Sequence, residues 1–589
     1  MIWEKSRRNG KILLNCTAGV AGLLLAGTNA WGQANMLGNP GFENPVLAPN
    51  TDMPMENNLT GQAPIASWYS WNNETPPYAG YFDDNITAHS GNQVGKTYGG
   101  QTYSGNGPNA GIFQPVAATP GDSYTANGWF VNSSVDGGAD QLNNSETDDC
   151  RIFFDTGANG TGTQIGNPIV SSTTVNENTP TDVWTQLNTI GVAPVGSQSV
   201  VWMAFYSCPV EFAAGALYVD DAFLGYSSLT WNNSGGTGDG ATWDVNTNQN
   251  WSDGTNEALF PNGAPVTFND NNNGHYSVSI TSTVQPFSTT FNSTKSYTLS
   301  GAGTIGGTGS LTQAGTGTVT LATANTYSGG TFVTNGTLKI APTSSTTSAL
   351  PKGLVAITGG SLVLENGVTT GSQSANTPAT APTSNVNITS LAISGNGTLD
   401  LGNNHIIVNY GSGADPLSSI ASWIASGAYG TGTTVTWTGT GIISSAAAAN
   451  SKSYGIGYAD SADAGNPAGL ASGQIEIMYT LLGDANLDGK VNGSDFNLMA
   501  TNFNQAVTAG WDKGDFNYDG KVNGNDFVLL AANFNQFASQ SADSSADAAA
   551  LDDFAAANGI SLTSVPEPAS IGLLAFGALG LFARRRRRE

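Results

Sequence analysis

Apolar and polar residues alternate along most of this chain, in short runs such as Val319-Thr320-Leu321 and Leu338-Lys339-Ile340 that end at Gly, Asn or Ser. A period of two is the mark of a half-buried strand, because successive side chains leave opposite faces of the pleat. From Asn35 to Tyr226 the alternation is rich in aromatics and broken by Gly, Pro and Asn turns, which predicts a β-sandwich. Beyond residue 229 the strands shorten (Val319 and Leu321; Phe332 and Val333; Leu338 and Ile340) and the corners become Gly- and Asn-rich, as expected of rungs stacked in a β-solenoid. Similar pieces follow at Leu354 to Glu365 and Leu391 to Val408, then a helix over Ser418 to Ser426 and a strand from Ile475. After residue 481 the spacing turns helical, with Phe496, Met499 and Phe503, then Phe527, Leu530 and Phe534, at i, i+3 and i+7. Ser539 to Ala557, rich in Ala, Ser and Asp, reads as a solvated spacer.

At 589 residues the chain is too long for one core, so several domains are expected. Its net charge is −25, and nine of the 18 basic residues lie at the two ends (Lys5, Arg7, Arg8, Lys11 and Arg584 to Arg588). The stretch between them is strongly acidic and has no basic stripe, which argues against nucleic acid as a partner. The 13 Trp, 18 Tyr and 23 Phe supply cores and argue against disorder. No Asp or Glu occurs between Asn271 and Leu364, and a neutral stretch keeps stacked rungs free of like-charge ladders.

Both ends carry addresses. Residues 1–34 combine a basic start, an apolar run from Ile12 to Ala26 and small residues suited to cleavage after Ala30 or Ala34, the pattern of a secretory signal peptide. Its removal takes Cys16 and leaves Cys150 and Cys208, a candidate disulfide pair in an oxidising compartment. At the other end, Val565, Pro566, Glu567 and Pro568 precede an apolar segment from Ala569 to Ala583 and five arginines. This resembles the PEP-CTERM sorting signal, which implies a short transmembrane helix, an exosortase-type processing peptidase as partner, transient membrane anchoring, and release to the cell surface or extracellular matrix.

The clearest chemistry is a duplicated loop, Gly-Asp-Ala-Asn-Leu-Asp-Gly-Lys-Val-Asn-Gly-Ser-Asp-Phe from Gly483 and Gly-Asp-Phe-Asn-Tyr-Asp-Gly-Lys-Val-Asn-Gly-Asn-Asp-Phe from Gly514. Oxygen-bearing side chains recur at positions 1, 3 and 5 (Asp484, Asn486, Asp488; Asp515, Asn517, Asp519), with Gly489 and Gly520 at the sharp turn. That alternation suits a hard cation, and calcium is the expected cofactor. Lys490 and Lys521 need offer only a backbone carbonyl, Asn492 and Asn523 act directly or through water, and Asp495 and Asp526 close the shell. Asp in place of Glu at position 12, and a strand rather than a helix before the first loop, resemble a dockerin type I repeat more than an EF-hand. That resemblance implies a small α-helical module and a cohesin-like or other protein partner. The positions through which dockerins meet cohesins are here Gly493-Ser494 and Gly524-Asn525, so calcium is the firmer half of the implication.

Asn39-Pro40-Gly41-Phe42-Glu43, Gly121-Asp122-Ser123-Tyr124 and Leu217-Tyr218-Val219-Asp220-Asp221 resemble landmarks of jelly-roll carbohydrate-binding modules. The resemblance implies either a structural calcium held by Glu43 and Asp220, or ordinary edge carboxylates at those positions. A sugar site needs flat aromatic faces against C–H surfaces, which makes Trp68, Tyr69, Trp71, Tyr78 and Tyr81 glycan-binding candidates, with packing of loops as the competing role. Trp129, Trp184 and Trp202 lie within alternating strands and read as core. Gly309 to Ile340 resembles the autotransporter-associated β-strand repeat of surface passengers. His89, His275 and His405 are scattered, and no GxSxG, HExxH or Walker-type loop occurs, so catalysis is not expected.

The whole reads as a mainly β, exported chain: signal peptide 1–34, jelly-roll sandwich 35–228, repeat region 229–345, further β region 346–480, calcium-loop module 481–537, linker 538–564 and sorting signal 565–589. The expected role is structural or adhesive, with glycan binding. The alternatives are a part in extracellular polysaccharide degradation and a protein-binding scaffold.

Overall fold

The computed structural model describes residues 35–560 except 45, 48–52, 55, 58–66, 73–80, 84–85, 99–108, 136–139, 144, 210–214, 234–235, 342–349, 369–385, 432–433 and 537–541. The signal peptide and the sorting segment, with its expected membrane helix, lie outside the described residues. Within them no helix is long and apolar enough to cross a membrane.

The first part is a sandwich of two sheets. One runs, in spatial order, Met53–Pro54, Tyr81–Asp83, Val94–Tyr98, Ala216–Tyr226, Ser123–Phe130 and Thr185–Val192. The other runs Val175–Asn176, Thr147–Asp155, Ser199–Ser207, Ala110–Ala117, Tyr69–Asn72 and Glu56–Asn57, with Gln164–Val170 also paired to Thr147–Asp155. Pairing is antiparallel except between Glu56–Asn57 and Tyr69–Asn72. The alternation seen in the sequence is what fills the core: Trp202 and Ala204 point in, Met203 and Phe205 point out. Trp68 stacks on Phe42 with ring centroids 4.6 Å apart and meets Trp202 edge-on at 5.4 Å.

Two expectations fail here. Trp129 and Trp184 are not core residues. They are half-buried, and Trp129 stacks on His89 at 4.0 Å. Cys150 and Cys208 are buried and are not joined to each other. Cys150 lies opposite Ala204 in the register, and Cys208 is four residues farther along the chain, about 14 Å at strand rise. A disulfide needs Cα atoms roughly 4.4–6.8 Å apart.

From Leu229 onward strands are shared between two sheets that are parallel except at the start of the first, where Trp251–Ser252 pairs antiparallel with Leu229–Trp231 and with Glu257–Ala258. One sheet stacks Leu229–Trp231, Val266–Asn269, Ser288–Asn292, Ser310–Gln313, Thr331–Val333, Leu354–Ile357 and Ser390–Ile393. The other stacks Thr242–Trp243, Ser277–Ile280, Tyr297–Ser300, Thr318–Leu321, Thr337–Ile340, Ser361–Leu364, Thr398–Asp400 and Gly441–Ile443. In-register columns form the interior, among them Tyr297, Val319, Leu338, Leu362, Leu399 and Ile442. Phe332 faces outward while Val333 points in. Trp231, Trp243 and Trp251, whose role the sequence left open, are buried against one another and against Phe260 and Phe268 at the first rung. They close the apolar column where it would otherwise meet water.

At the far end α1 (Leu417–Ala428) and α2 (Ser445–Ala449) accompany a small sheet ordered Asn387–Ile388, His405–Asn409, Gln474–Leu481 and Tyr454–Asp460. The last strand of that region to enter, Gln474–Leu481, runs straight into the first duplicated loop. Each loop is followed by a helix, α3 (Gly493–Thr501) and α4 (Gly524–Asn533). A further helix, α5 (Ala542–Ala557), stands where a solvated spacer was expected. Leu551 and Ala555 are buried, and Phe554 packs on Phe496, Phe503 and Phe527. A few apolar side chains suffice to dock an Ala-rich segment when the surface they meet is already aromatic.

Candidate functional site

Three places in the fold gather chemistry. The first is the outer face of the sandwich sheet that contains Tyr69–Asn72. Phe113, Val201 and Met203 are buried there, and Tyr69, Trp71, Phe153 and Phe205 pack around them half-exposed. Tyr69 stacks on Phe113 at 5.4 Å, and Trp71 on Phe205 at 6.1 Å. Arg151 reaches over the Phe205 ring at 3.5 Å and is held by Asp149, its Nε donating to Oδ1 at 2.6 Å and its Nη2 to Oδ2. That pairing neutralises the guanidinium and leaves N–H groups to spare, since arginine carries five. Trp71, Phe113, Arg151, Phe153, Gly160, Gln164, Pro168, Met203 and Phe205 surround a cavity of about 300 Å³. Flat apolar walls with a few polar groups suit a small ligand.

Of the five aromatic candidates, only Tyr69 and Trp71 come together on this face. Trp68 is excluded by the pleat itself: one residue before Tyr69 it points inward, is fully buried, and donates from Nε1 to the Asn39 carbonyl at 2.8 Å. Tyr81 belongs to the opposite sheet. Tyr78 lies outside the described residues. Phe113, Phe153, Phe205 and Arg151 had no local signal, because strands distant in sequence deliver them.

The second place joins the beginning and end of the sandwich. Glu43 Oε1 accepts from the backbone N–H of Asn92 at 2.6 Å and of Gln93 at 3.0 Å. Asp220 Oδ2 accepts from the Ser90 N–H at 2.9 Å, and Oδ1 from the Asp221 N–H at 2.7 Å. Both carboxylates therefore converge on the 90–93 loop. Burial pushes Asp220 up to about 7. Asp221 accepts from Ser90 Oγ and lies 2.7 Å from His89 Nδ1. In this arrangement the carboxylates serve as anchors for loop amides.

The third is the duplicated loop, whose two copies repeat one hydrogen-bond pattern. Asp484 Oδ1 accepts from Asp488 N–H at 3.1 Å and Oδ2 from Gly489 N–H at 3.0 Å; Asp515 does the same with Asp519 and Gly520. Asp495 Oδ1 accepts from Ala485 and Asn486 and its Oδ2 from Asn492, matched by Asp526 with Phe516, Asn517 and Asn523. Asn492 and Asn523 cap α3 and α4 in reciprocal capping boxes with those same aspartates. Asn486 and Asn517 accept from the N–H of Asp488 and Asp519, which in turn accept from the N–H of Lys490 and Lys521. Leu487 and Tyr518 take left-handed backbone angles at position 4, a feature without signal in the sequence.

Carboxylates are crowded here. Burial, and next the neighbouring Asp495 charge, push Asp484 well above the usual carboxylate range. Burial likewise raises Asp495 and Asp526 to about 7 and Asp515 to about 6. Such an all-oxygen donor set, buried and mutually repelling, fits a hard divalent cation, whose charge would relieve the repulsion. Among the described residues no group of three or more His, Cys, Asp or Glu side chains is poised to hold a metal ion. The loop amides occupy the carboxylate oxygens.

Comparison with known families matches residues 311–340 to the Passenger-associated-transport-repeat, 482–549 to the Dockerin type I domain, and 564–588 to the PEP-CTERM protein-sorting motif. Dockerin type I domains are calcium-binding, and the sorting motif marks a chain for secretion and surface sorting. No curated protein matches. Solved structures with likeness include the CBM22-1 xylan-binding domain of Paenibacillus barcinonensis Xyn10C, at 11% identity over 27% of this chain and 86% of that one, TM-score 0.19. TmCBM61 in complex with β-1,4-galactotriose shares 16% identity over 33% and 99%, TM-score 0.19. The Stig cyclase Fisc from Fischerella sp. TAU shares 13% over 32% and 95%, TM-score 0.22.

Proposed function

We propose that this chain is a surface-sorted binding and structural protein: the sandwich holds a neutral or weakly polar glycan on the Trp71 face, the paired parallel sheets act as a solenoid spacer, and the duplicated loops hold calcium. The observation that carries the glycan reading is the gathering of Tyr69, Trp71, Phe113, Phe153 and Phe205 with Arg151 and Gln164 around one open cavity. Aromatic planes receive the C–H faces of a sugar ring, and the spare guanidinium N–H groups and the Gln164 amide serve its hydroxyls. The sandwich assignment itself rests on strand pairing.

Trp71→Ala in the full chain should weaken saturable binding to a polysaccharide panel by about tenfold or more, as expected for loss of a central aromatic contact. Binding unaffected by the substitution would move the site elsewhere. The reading is of binding rather than turnover, so the same polysaccharides should emerge uncut.

In the loops, Asp484, Asn486, Asp488, Asn492 and Asp495, with the Lys490 carbonyl, are the residues that would hold one ion. Asp515, Asn517, Asp519, Asn523, Asp526 and the Lys521 carbonyl would hold the other. Bound calcium supplies a positive centre that ties each loop to its helix. The C-terminal segment anchors the chain transiently before an exosortase-type peptidase removes it. Mass spectrometry of protein recovered from the cell surface should therefore find no arginine tail. A C-terminus intact through Glu589 would mean a permanent anchor.

A further inference from the structure

We propose that the paired-loop module clasps its own chain, with α5 and its C-terminal turn seated on the glycine of the partner-recognition pair in each repeat. A single side chain on α5, Phe554, meets the helices of both: Phe496 at 5.3 Å, Phe503 at 4.9 Å and Phe527 at 5.6 Å. The contacts reach the glycine of each recognition pair. Against Gly493 lies the Asp547 carboxylate, so close that a Cβ there would stand 2.4 Å from its carbon. Against Gly524, the equivalent residue of the second repeat, lies Ile560, at 3.8 Å from such a Cβ. One helix and its C-terminal turn thus span both repeats. The Ile560 N–H closes that turn on the Ala555 carbonyl at 2.9 Å.

The module is also held by one of the chain's own strands. Trp511 stacks on Tyr518 at 5.6 Å, and the Tyr518 hydroxyl accepts from the Ile456 N–H at 2.9 Å and lies 3.0 Å from its carbonyl. Trp511 Nε1 donates to the Asp484 carbonyl at 2.8 Å. A second protein that seats on Gly493 and Gly524 must first displace α5 and its C-terminal turn, although Ser494 and Asn525 beside them are exposed. The helix has little reason to persist once displaced. Its sequence is Ala, Ser and Asp around Leu551, Phe554 and Ala555, and isolated helices of about 12–15 residues are marginal in water. Docking is what orders it. Because the matched sorting motif begins at residue 564, a few residues past Ile560, the clasp also fixes where the sorting tail leaves the folded body.

Hydrogen exchange on the full chain tests this. Amides of 546–557 should exchange at least about 100-fold more slowly than in an unstructured chain. Phe554→Asp should bring them to unstructured rates while 493–501 and 524–533 keep their protection, and Phe554→Leu should preserve the wild-type pattern. Unprotected amides in α5 of the wild-type chain would overturn the proposal, as would protection that survives Phe554→Asp. If Phe554→Asp unfolds all three helices together, Phe554→Ala is read by the same criterion: selective loss of α5 protection supports the clasp, and none refutes it.

Discussion

Asp122 shows how a single buried carboxyl sets the behaviour of a seam. It lies where the sandwich meets the first rungs, fully buried, with Oδ2 lacking a hydrogen-bond partner and the Asn246 amide, oriented by its surrounding network, 3.1 Å from Oδ1. Beside it Ser123 Oγ donates to Asp253 Oδ2 at 2.8 Å. Burial raises Asp122 from about 3.8 to about 7. The unfolded chain therefore gives up this proton near pH 4 while the folded chain keeps it, so stability falls as pH rises from about 4 to about 7 and levels off above. Asp122→Asn removes the titration. The variant's melting temperature, relative to wild type, should rise by several degrees across that window, since each unit is worth about 1.4 kcal/mol. A difference that is flat from pH 4 to 8 would show that Asp122 does not titrate there. At this scale the sequence was legible where the pleat decides. Tyr69 and Trp71 lie on the outer face, and Trp68, their neighbour in sequence, points inward as the alternation of the pleat requires.

At the scale of elements, local chemistry was easiest to read. The duplicated loops were legible because the spacing and the glycine at the turn are contained in 14 consecutive residues, with the helical period directly after them. Asp495 and Asp526 serve both the helix cap and the loop, while Asp484 and Asp515 hold the turn amides of the loop alone. Asp484→Ala with Asp515→Ala in the full chain should abolish both calcium-binding events in titration calorimetry and lower the melting temperature even without calcium, because the buried amide of Gly489 loses its acceptor at about 1–3 kcal/mol and the half-buried amide of Gly520 loses its own at less. Retained calcium binding would place the ion elsewhere. The helix α5 was missed for the opposite reason. Its apolar residues are too sparse to make a face, and the aromatic surface that completes it comes from two other helices. The rungs fall between these cases. Short alternating strands are legible, but the in-register columns joining Leu338 to Val319 and Leu362 are created by stacking.

Over the whole molecule, the cores draw a boundary that the order of motifs does not. One apolar cluster runs without a break from Leu229 to Ala555, through the parallel sheets, the small sheet after them and the paired-loop helices, while the sandwich keeps its own. Tyr226 packs against both. The sequence suggested separate modules because composition changes at each junction. The contacts that fuse them, such as Leu487 and Trp511 against the strand at Gly457, join residues far apart along the chain. Heating the full chain should give two main transitions, one for the sandwich and one for everything from 229 onward. Chelating calcium should lower only the second, by about 2.7 kcal/mol for each site that had been held at a hundredfold excess over its Kd. The sandwich transition should stay where it was. Three transitions, with chelator moving a small one assigned to 481–560 alone, would show that the shared core does not couple the module to the stack.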